Sequence, residues 1–412
     1  PAAPETGIPL LGRLPIRTGN RIRAMLVQLI LVASLVTAPA LPMKSETSSN
    51  RPRARETGLI IGSLQPGPLN AITDVAGVRV GHKTVTEGEN IRTGVTVVFP
   101  HEGNAFLERV PAAIYVANGY GKLLGMTQVQ ELGELETPIL LTSTLSIWRA
   151  TDAMVGWLLE QPGMEDVRSV NPVAGETNDG FLNDIRARPI RPEHVIEALR
   201  GATNGPVPEG AVGAGAGTIA FGWKGGIGTS SRKVSEKQGG YTVGVIVQSN
   251  YGGDLAINGV RVADKLKKRR SSQEKKQTGT AQQRPENTGD GSIMIVAATD
   301  APLSCRNLRR LAMRAIAGLS RTGSSFSNGS GDYVIAFSTA PECRRPREKN
   351  LFTPPDLSND AVSPLFQAVA EATEEAIYNS LFQATTTTGF RGKVEALPDD
   401  VFQVLNESGA LR

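Results

Sequence analysis

Histidine, cysteine and aromatic residues are all scarce in this chain, and each shortage narrows what it can be. Only three histidines, His82, His101 and His194, occur in 412 residues. A serine or cysteine nucleophile therefore has few imidazoles to draw on as its base. The two cysteines, Cys305 and Cys343, permit one disulfide in an oxidising compartment or two thiols. Aromatic residues make up 5% of the chain and the net charge is only +4. Much of the basic excess lies in Lys265–Lys276 and Arg344–Arg347. A nucleic-acid-binding face wants clustered basic residues with interleaved aromatics, so that class is disfavoured. Long apolar runs are also missing. The one such run, Met25–Val36, is too short to span a bilayer comfortably, and stable membrane insertion is not expected.

That run does fit another purpose. Arg17, Arg21 and Arg23 precede it, and the small residues Thr37-Ala-Pro-Ala40 follow. Basic flank, short apolar core and small residues make the pattern of a secretory signal. The expectation is export, to the periplasm or outside; a chance apolar patch in a tail would leave the protein cytoplasmic. Residues 1–50 are set outside the fold, and residues 51–412 are read as a single domain. Hydrophobic residues at 40% and charged residues at 20% suit a soluble globular protein, and 45 glycines imply many tight turns.

The chain is organised around Thr288–Asp300. The segment before it, 265–291, is polar and charged almost throughout, and it buries too little to offset its ordering entropy. It is read as a mobile linker. Directly after Gly291 come Ser292 and the apolar run Ile293–Ala298, which reads as a fully buried strand. A cleavable arm thus ends at a hydroxyl residue on the first position of a core strand. The reading is that the chain is cut between Gly291 and Ser292, giving an α chain to Gly291 and a β chain from Ser292. A freed α-amine has a pKa of about 7.7–8.0 and is tied to the residue it must deprotonate. The same residues also suit an ordinary turn before a strand.

Flanking patterns place further elements. Strands are expected at 93–100, 112–117, 138–142, 241–249 and 333–338, with Asn70–His82 strand-like around a turn. Helices are expected over Ser146–Glu160, Arg191–Arg200 with Pro192 in its first turn, Pro302 to Leu319, and Pro364 to Phe382. In the last, Glu371, Glu374 and Glu375 read as a solvated face. Gly210–Gly217 lacks the preceding strand and following helix that a dinucleotide loop needs, and reads as a close-packed turn. Glu176, Asn178, Asp179 and Asp184 form a polar, turn-rich cluster that suits either a site or turn caps.

Strand 292–298, helix and strand 333–338 make a strand–helix–strand unit. As a parallel crossover, it starts both strands at one sheet edge. Ser292 then meets Ser330 and Asp332 there, despite their separation in sequence. If strand 242–249 runs the other way, Asn250 arrives too, offering an amide donor for an oxyanion.

Three stretches together, Gly289–Leu303, Asn328–Ser338 and Val173–Asp184, resemble the DmpA-like L-aminopeptidase/D-esterase family, which includes the β-peptidyl aminopeptidases. The similarity runs from about Arg55 to Val401. The resemblance implies an α+β, four-layer αββα sandwich of N-terminal-nucleophile type, self-cleaved into α and β chains. It also implies homo-oligomers of αβ heterodimers, and no metal or other cofactor. By motif match Ser292 is the nucleophile, its amine the base, Ser330 and Asp332 its supporting residues, and Asn250 the oxyanion amide. Glu176 matches a residue near the substrate's free amino group. The implied substrates are small peptides, amides or esters. The long leader, the long basic linker and the Cys343–Asn350 loop depart from the pattern. Two rival readings are an acyltransferase of the ornithine-acetyltransferase kind and a non-catalytic exported binding protein.

Overall fold

Strict alternation of side chains along the strands builds this molecule in layers. The structure, a computed structural model, describes residues 50–266 and 291–411. The signal-like segment, and all of the 265–291 linker but its ends, lie outside the described residues. In chain order the long strands are β1 (Arg79–Glu87), β2 (Ile91–Phe99), β3 (Glu108–Gly119), β4 (Ile139–Ser143), β5 (Val173–Thr177), β6 (Gly226–Lys233), β7 (Thr242–Asn250), β8 (Ser292–Thr299) and β9 (Gly331–Ser338). The long helices are α1 (Ile147–Leu159), α2 (Pro192–Arg200), α3 (Cys305–Arg321) and α4 (Ser363–Phe382).

A five-stranded sheet has the order β1-β2-β4-β5, with the short strand Leu123–Leu124 at its end. A seven-stranded sheet has the order β6-β7-β8-β9-β3, and the short strands Arg345–Pro346 and Glu134–Leu135 both pair with β3. Successive residues of a strand face opposite sides. In β8, Met294, Val296 and Ala298 point into a core shared with Val98, Ile139, Leu141 and Val173 of the other sheet. Ile293, Ile295 and Ala297 point the other way, onto Leu308, Leu311 and Ala315 of α3 and Val369, Ala372 and Ala376 of α4. The outer face of the five-stranded sheet, with Val95, Val97, Phe99 and Leu140, packs on Ile147, Ala150 and Met154 of α1 and Val195, Ala198 and Leu199 of α2. The order of layers is helices, sheet, sheet, helices, the αββα sandwich expected. The two-sided burial of β8 explains its unbroken apolar run.

Several expectations shift in detail. Regular pairing after Asn70 begins only at Arg79, and Ile72–Asp74 is a 3₁₀ turn. Helix α3 starts at Cys305 rather than Pro302, because Ser304 caps it by accepting from the Asn307 N–H. The turn at Gly210 is close-packed: a Cβ there would lie 2.3 Å from the Gln383 carbonyl oxygen. Cys305 and Cys343 are both free thiols. No helix among the described residues is long and apolar enough to cross a membrane.

One expectation fails outright. Glu371, Glu374 and Glu375 are not a solvated face: they are 4%, 5% and 0% exposed. Helix α4 lies between α3 on one side and strands β6 and β7 on the other, so nearly its whole circumference is covered. The carboxylates are tolerated because arginines meet them. Arg232 reaches Glu375 at 2.6 Å and Glu371 at 3.3 Å, Arg55 reaches Glu375 at 3.0 Å, and Arg321 reaches Glu374 at 3.2 Å. Arg51 donates to the carbonyl of Phe382, the last residue of α4, and to the Leu397 carbonyl. Removing one partner of a buried pair strands the other charge, at a cost of about 3–5 kcal/mol. Arg232→Met is therefore expected to lower unfolding stability by about that amount in a denaturant titration; a change within about 0.5 kcal/mol, typical of surface sites, would contradict this account.

Candidate active site

Register brings the candidate residues to one sheet edge. In the antiparallel β7–β8 pair Asn250 stands opposite Ser292. In the parallel β8–β9 pair Ser292 stands opposite Gly331. The end of β7 and the starts of β8 and β9 thus lie side by side. By alternation Ser292 shares its face with Met294 and Val296, so it opens toward the space between the two sheets.

The Ser292 hydroxyl donates to the Gly291 carbonyl oxygen at 2.7 Å and accepts from the Gly331 N–H at 3.3 Å. The same N–H donates to the Gly291 oxygen at 3.0 Å. The carbonyl of the expected cleavage position is therefore held directly against the hydroxyl that follows it. Gly291 has φ +151°, and a Cβ there would sit 2.2 Å from the Asn250 carbonyl oxygen. No side chain fits between β7 and the residue before Ser292.

Asp332 is fully buried and accepts from the Ser330 hydroxyl at 2.7 Å through Oδ1. Its Oδ2 is also buried and has no hydrogen-bond partner among the described residues. Asp332 is the register partner of Ile293, whose side chain faces the helices, so this free acceptor lies beside the backbone at the start of β8 and not on the face of the Ser292 hydroxyl. The Asn250 amide is fixed at both ends. Its Oδ1 accepts from the Ile219 N–H at 2.9 Å, and Nδ2 donates to the Asn178 carbonyl at 3.1 Å. An amide nitrogen carries two protons, so one N–H remains to donate.

Glu176 comes from the neighbouring sheet and is buried. It accepts from the Lys122 backbone N–H at 2.8 Å and from the Thr144 hydroxyl, with Lys122 Nζ at 3.6 Å. Gly121 links it to the serine. A Cβ on Gly121 would lie 3.3 Å from Gly331 Cα and 3.4 Å from Glu176 Oε1, while one on Gly331 would lie 3.2 Å from Ser292 Oγ.

Comparison with known proteins identifies the family and the fold. The model of peptidase family S58 matches residues 70–395. The chain belongs to peptidase family S58. It is 41% identical over 365 residues to the beta-peptidyl aminopeptidase BapA of Sphingosinicella microcystinivorans, covering 85% of this chain and 91% of that one. A Burkholderia sp. beta-aminopeptidase superposes with a TM-score of 0.79 at 38% identity, covering 87% of this chain and 99% of that chain. The L-aminopeptidase D-Ala-esterase/amidase of Ochrobactrum anthropi superposes with a TM-score of 0.79 at 35% identity, over 88% of this chain and 100% of that one. It is described as a prototype for the serine aminopeptidases and a new variant among the Ntn hydrolase fold. This S58 protein is accordingly a hydrolase of the serine aminopeptidase type with that fold.

None of the three histidines of this S58 chain bonds to Ser292. His82 pairs with the Thr96 hydroxyl, His101 with the Glu108 carbonyl, and His194 with its own helix start at Arg191. Burial pushes His82 down to about 4. Several residues at the site carried no signal in the sequence. Asn118 donates to the Ser330 and Ser327 carbonyls and shapes the turn before β9. The Tyr333 hydroxyl donates to the Gly121 carbonyl at 2.9 Å. Lys122 and Thr144 surround Glu176. Only tertiary pairing shows them. Asp184, grouped with Glu176 in sequence, instead sits at the start of the 3₁₀ turn Ile185–Ala187.

Burial pushes Asp332 up to about 6, against the opposing pull of the Ser330 hydroxyl. An acid raised above its ordinary value of 3.8 in the fold favours the protonated folded state. Its stabilising contribution is present at low pH and is lost as pH rises through about 6. In the processed enzyme the Ser292 amine, with an ordinary pKa of about 7.7–8.0, must be neutral to act as base, so kcat is expected to fall on acidification through that titration. A carboxylate beside the amine favours its charged form, so Asp332→Asn is expected to be slower by about 10²-fold or more with its acid limb moved to lower pH. An Asp332→Asn pH–rate profile with its acid limb at the wild-type position would contradict it.

Proposed function

We propose that residues 51–412 form one catalytic domain that cuts itself once, between Gly291 and Ser292, and then works as an N-terminal-serine aminopeptidase. In the cut, Ser292 Oγ adds to the Gly291 carbonyl carbon and the peptide C–N bond breaks. The acyl group passes to oxygen and the nitrogen leaves as a free amine. Water then hydrolyses the ester, giving a Gly291 carboxylate and a Ser292 with both amine and hydroxyl.

In turnover the Ser292 amine takes the hydroxyl proton and Oγ attacks the substrate carbonyl. The free N–H of Asn250 donates to the oxyanion. Ser330 and the unpartnered oxygen of Asp332 hold the amine's extra proton. The amine passes that proton to the leaving amine or alcohol, and water releases the acyl group. Glu176 receives the substrate's own ammonium, which restricts the enzyme to substrates with a free amino end. Short peptides, amides and esters fit this chemistry. The Sphingosinicella relative makes peptides with an N-terminal β-amino residue the first substrates to test. The signal-like leader supports export, and we propose assembly as a homo-oligomer of αβ heterodimers.

The observation that supports this reading most is the Gly291 carbonyl, held by the Ser292 hydroxyl and the Gly331 N–H at an edge shared with Asn250. Ser292→Ala is expected to give an uncut chain with activity reduced by about 10⁴-fold or more, read by gel electrophoresis and amide hydrolysis. A two-band gel like that of the wild type would rule the reading out.

A further inference from the structure

Two buried ionisable groups, Asp179 and Lys224, take no part in the steps above. Each adjoins, in the chain or in strand pairing, a residue that grips Asn250. Its amide is gripped by backbone groups of two separate loops, the Asn178 carbonyl and the Ile219 N–H. Asp179 follows Asn178 and is 2% exposed. Its Oδ2 accepts from the Thr93 hydroxyl of β2 at 2.6 Å, and its Oδ1 accepts from Asn183 Nδ2 at 3.0 Å. Its backbone carbonyl closes the same loop by accepting from the Leu182 and Asn183 N–H groups. Lys224 is the strand partner of Ile219 and is 0% exposed. Its Nζ donates to the Gly215 carbonyl at 2.8 Å and to the Gly225 carbonyl at 2.9 Å, and the Gly225 N–H donates to the Thr218 carbonyl. The loops also touch: a Cβ on Gly217 would lie 2.8 Å from Asp179 Cβ.

We infer that Asp179 and Lys224 are positioning residues for the Asn250 amide, holding the two backbone groups that aim its free N–H. The inference rests on Asn250 being the oxyanion donor. A donor displaced by about 1 Å can cost roughly 10²-fold in rate, so rigidity around it has a kinetic consequence. The bonds that do the positioning are hydrogen bonds to Thr93, Asn183, Gly215 and Gly225. Burial pushes Asp179 up to about 7 and Lys224 down to about 7, toward the uncharged form of each. An amide at position 179 can keep both bonds, because the Thr93 hydroxyl can rotate from donor to acceptor.

The test measures kcat, KM and thermal unfolding for Asp179→Ala, Asp179→Asn, Lys224→Met, Thr93→Val, Asn250→Ala and Asp179→Ala/Asn250→Ala, all as processed enzyme on one amide substrate. Asp179→Ala and Lys224→Met should lower kcat by about 10–100-fold, with KM changed by less than about threefold. Asp179→Asn should restore most of the rate. In the Asn250→Ala background Asp179→Ala should cost less than about twofold more, because coupled positions are not additive. If Asp179→Ala does not fold, Thr93→Val, which deletes one bond at constant volume, carries the same expectation. A raised KM at unchanged kcat, an Asp179→Asn as slow as Asp179→Ala, or full additivity overturns the inference. Wild-type kcat in Asn250→Ala overturns the assignment of Asn250 itself. A slow Asn250→Ala alongside fast Asp179 and Thr93 variants overturns the buried pair alone.

Discussion

Everything at this site depends on the register of three strands. Asn250 stands opposite Ser292, and Ser292 stands opposite Gly331. A slip of one residue in β8 would turn Ser292 away from the space between the sheets and onto the helices, because faces alternate with period two. The register is held by burial on both sides, with Met294 and Val296 between the sheets and Ile293 and Ile295 against the helices. Neither set of side chains can exchange with the other without loss of packing. The position of one hydroxyl is thus fixed by the packing of a whole strand.

The chemistry follows from what that edge excludes and what it leaves open. Water has little access, since Ser292, Ser330, Asp332, Asn250 and Glu176 are all buried. Electrostatic interactions there are stronger than in solvent. Two groups keep unused capacity: a carboxylate oxygen of Asp332 and one N–H of Asn250. A third, the Ser292 nitrogen, gains capacity only when its peptide bond is broken. Self-cleavage in this account both frees the β chain and creates the base. The shortage of histidine loses its importance, because an amine carried by the nucleophile needs no partner residue brought from elsewhere.

Much of this was legible in the sequence wherever the determinant was local. The apolar run after Ser292 marked a strand buried on both faces, and the strand–helix–strand order placed Ser330 and Asp332 at its starting edge. What was misread depended on distant partners. Glu371, Glu374 and Glu375 look like a polar helix face until Arg55, Arg232 and Arg321 arrive from elsewhere in the chain. Asn118, Lys122, Thr144 and Tyr333 have ordinary local surroundings; they reach the site through β3, β4 and β9 pairings that no local pattern encodes. Asp179 was seen only as one member of a polar cluster, without the link through Asn178 to Asn250.

The central claim is that a new amine appears on Ser292. Intact mass of the purified wild-type protein, with N-terminal sequencing of its smaller fragment, tests it most directly. The account predicts two chains, the smaller beginning Ser-Ile-Met-Ile-Val. A single uncut chain that nevertheless hydrolyses substrate, or a fragment starting at another residue, would contradict it.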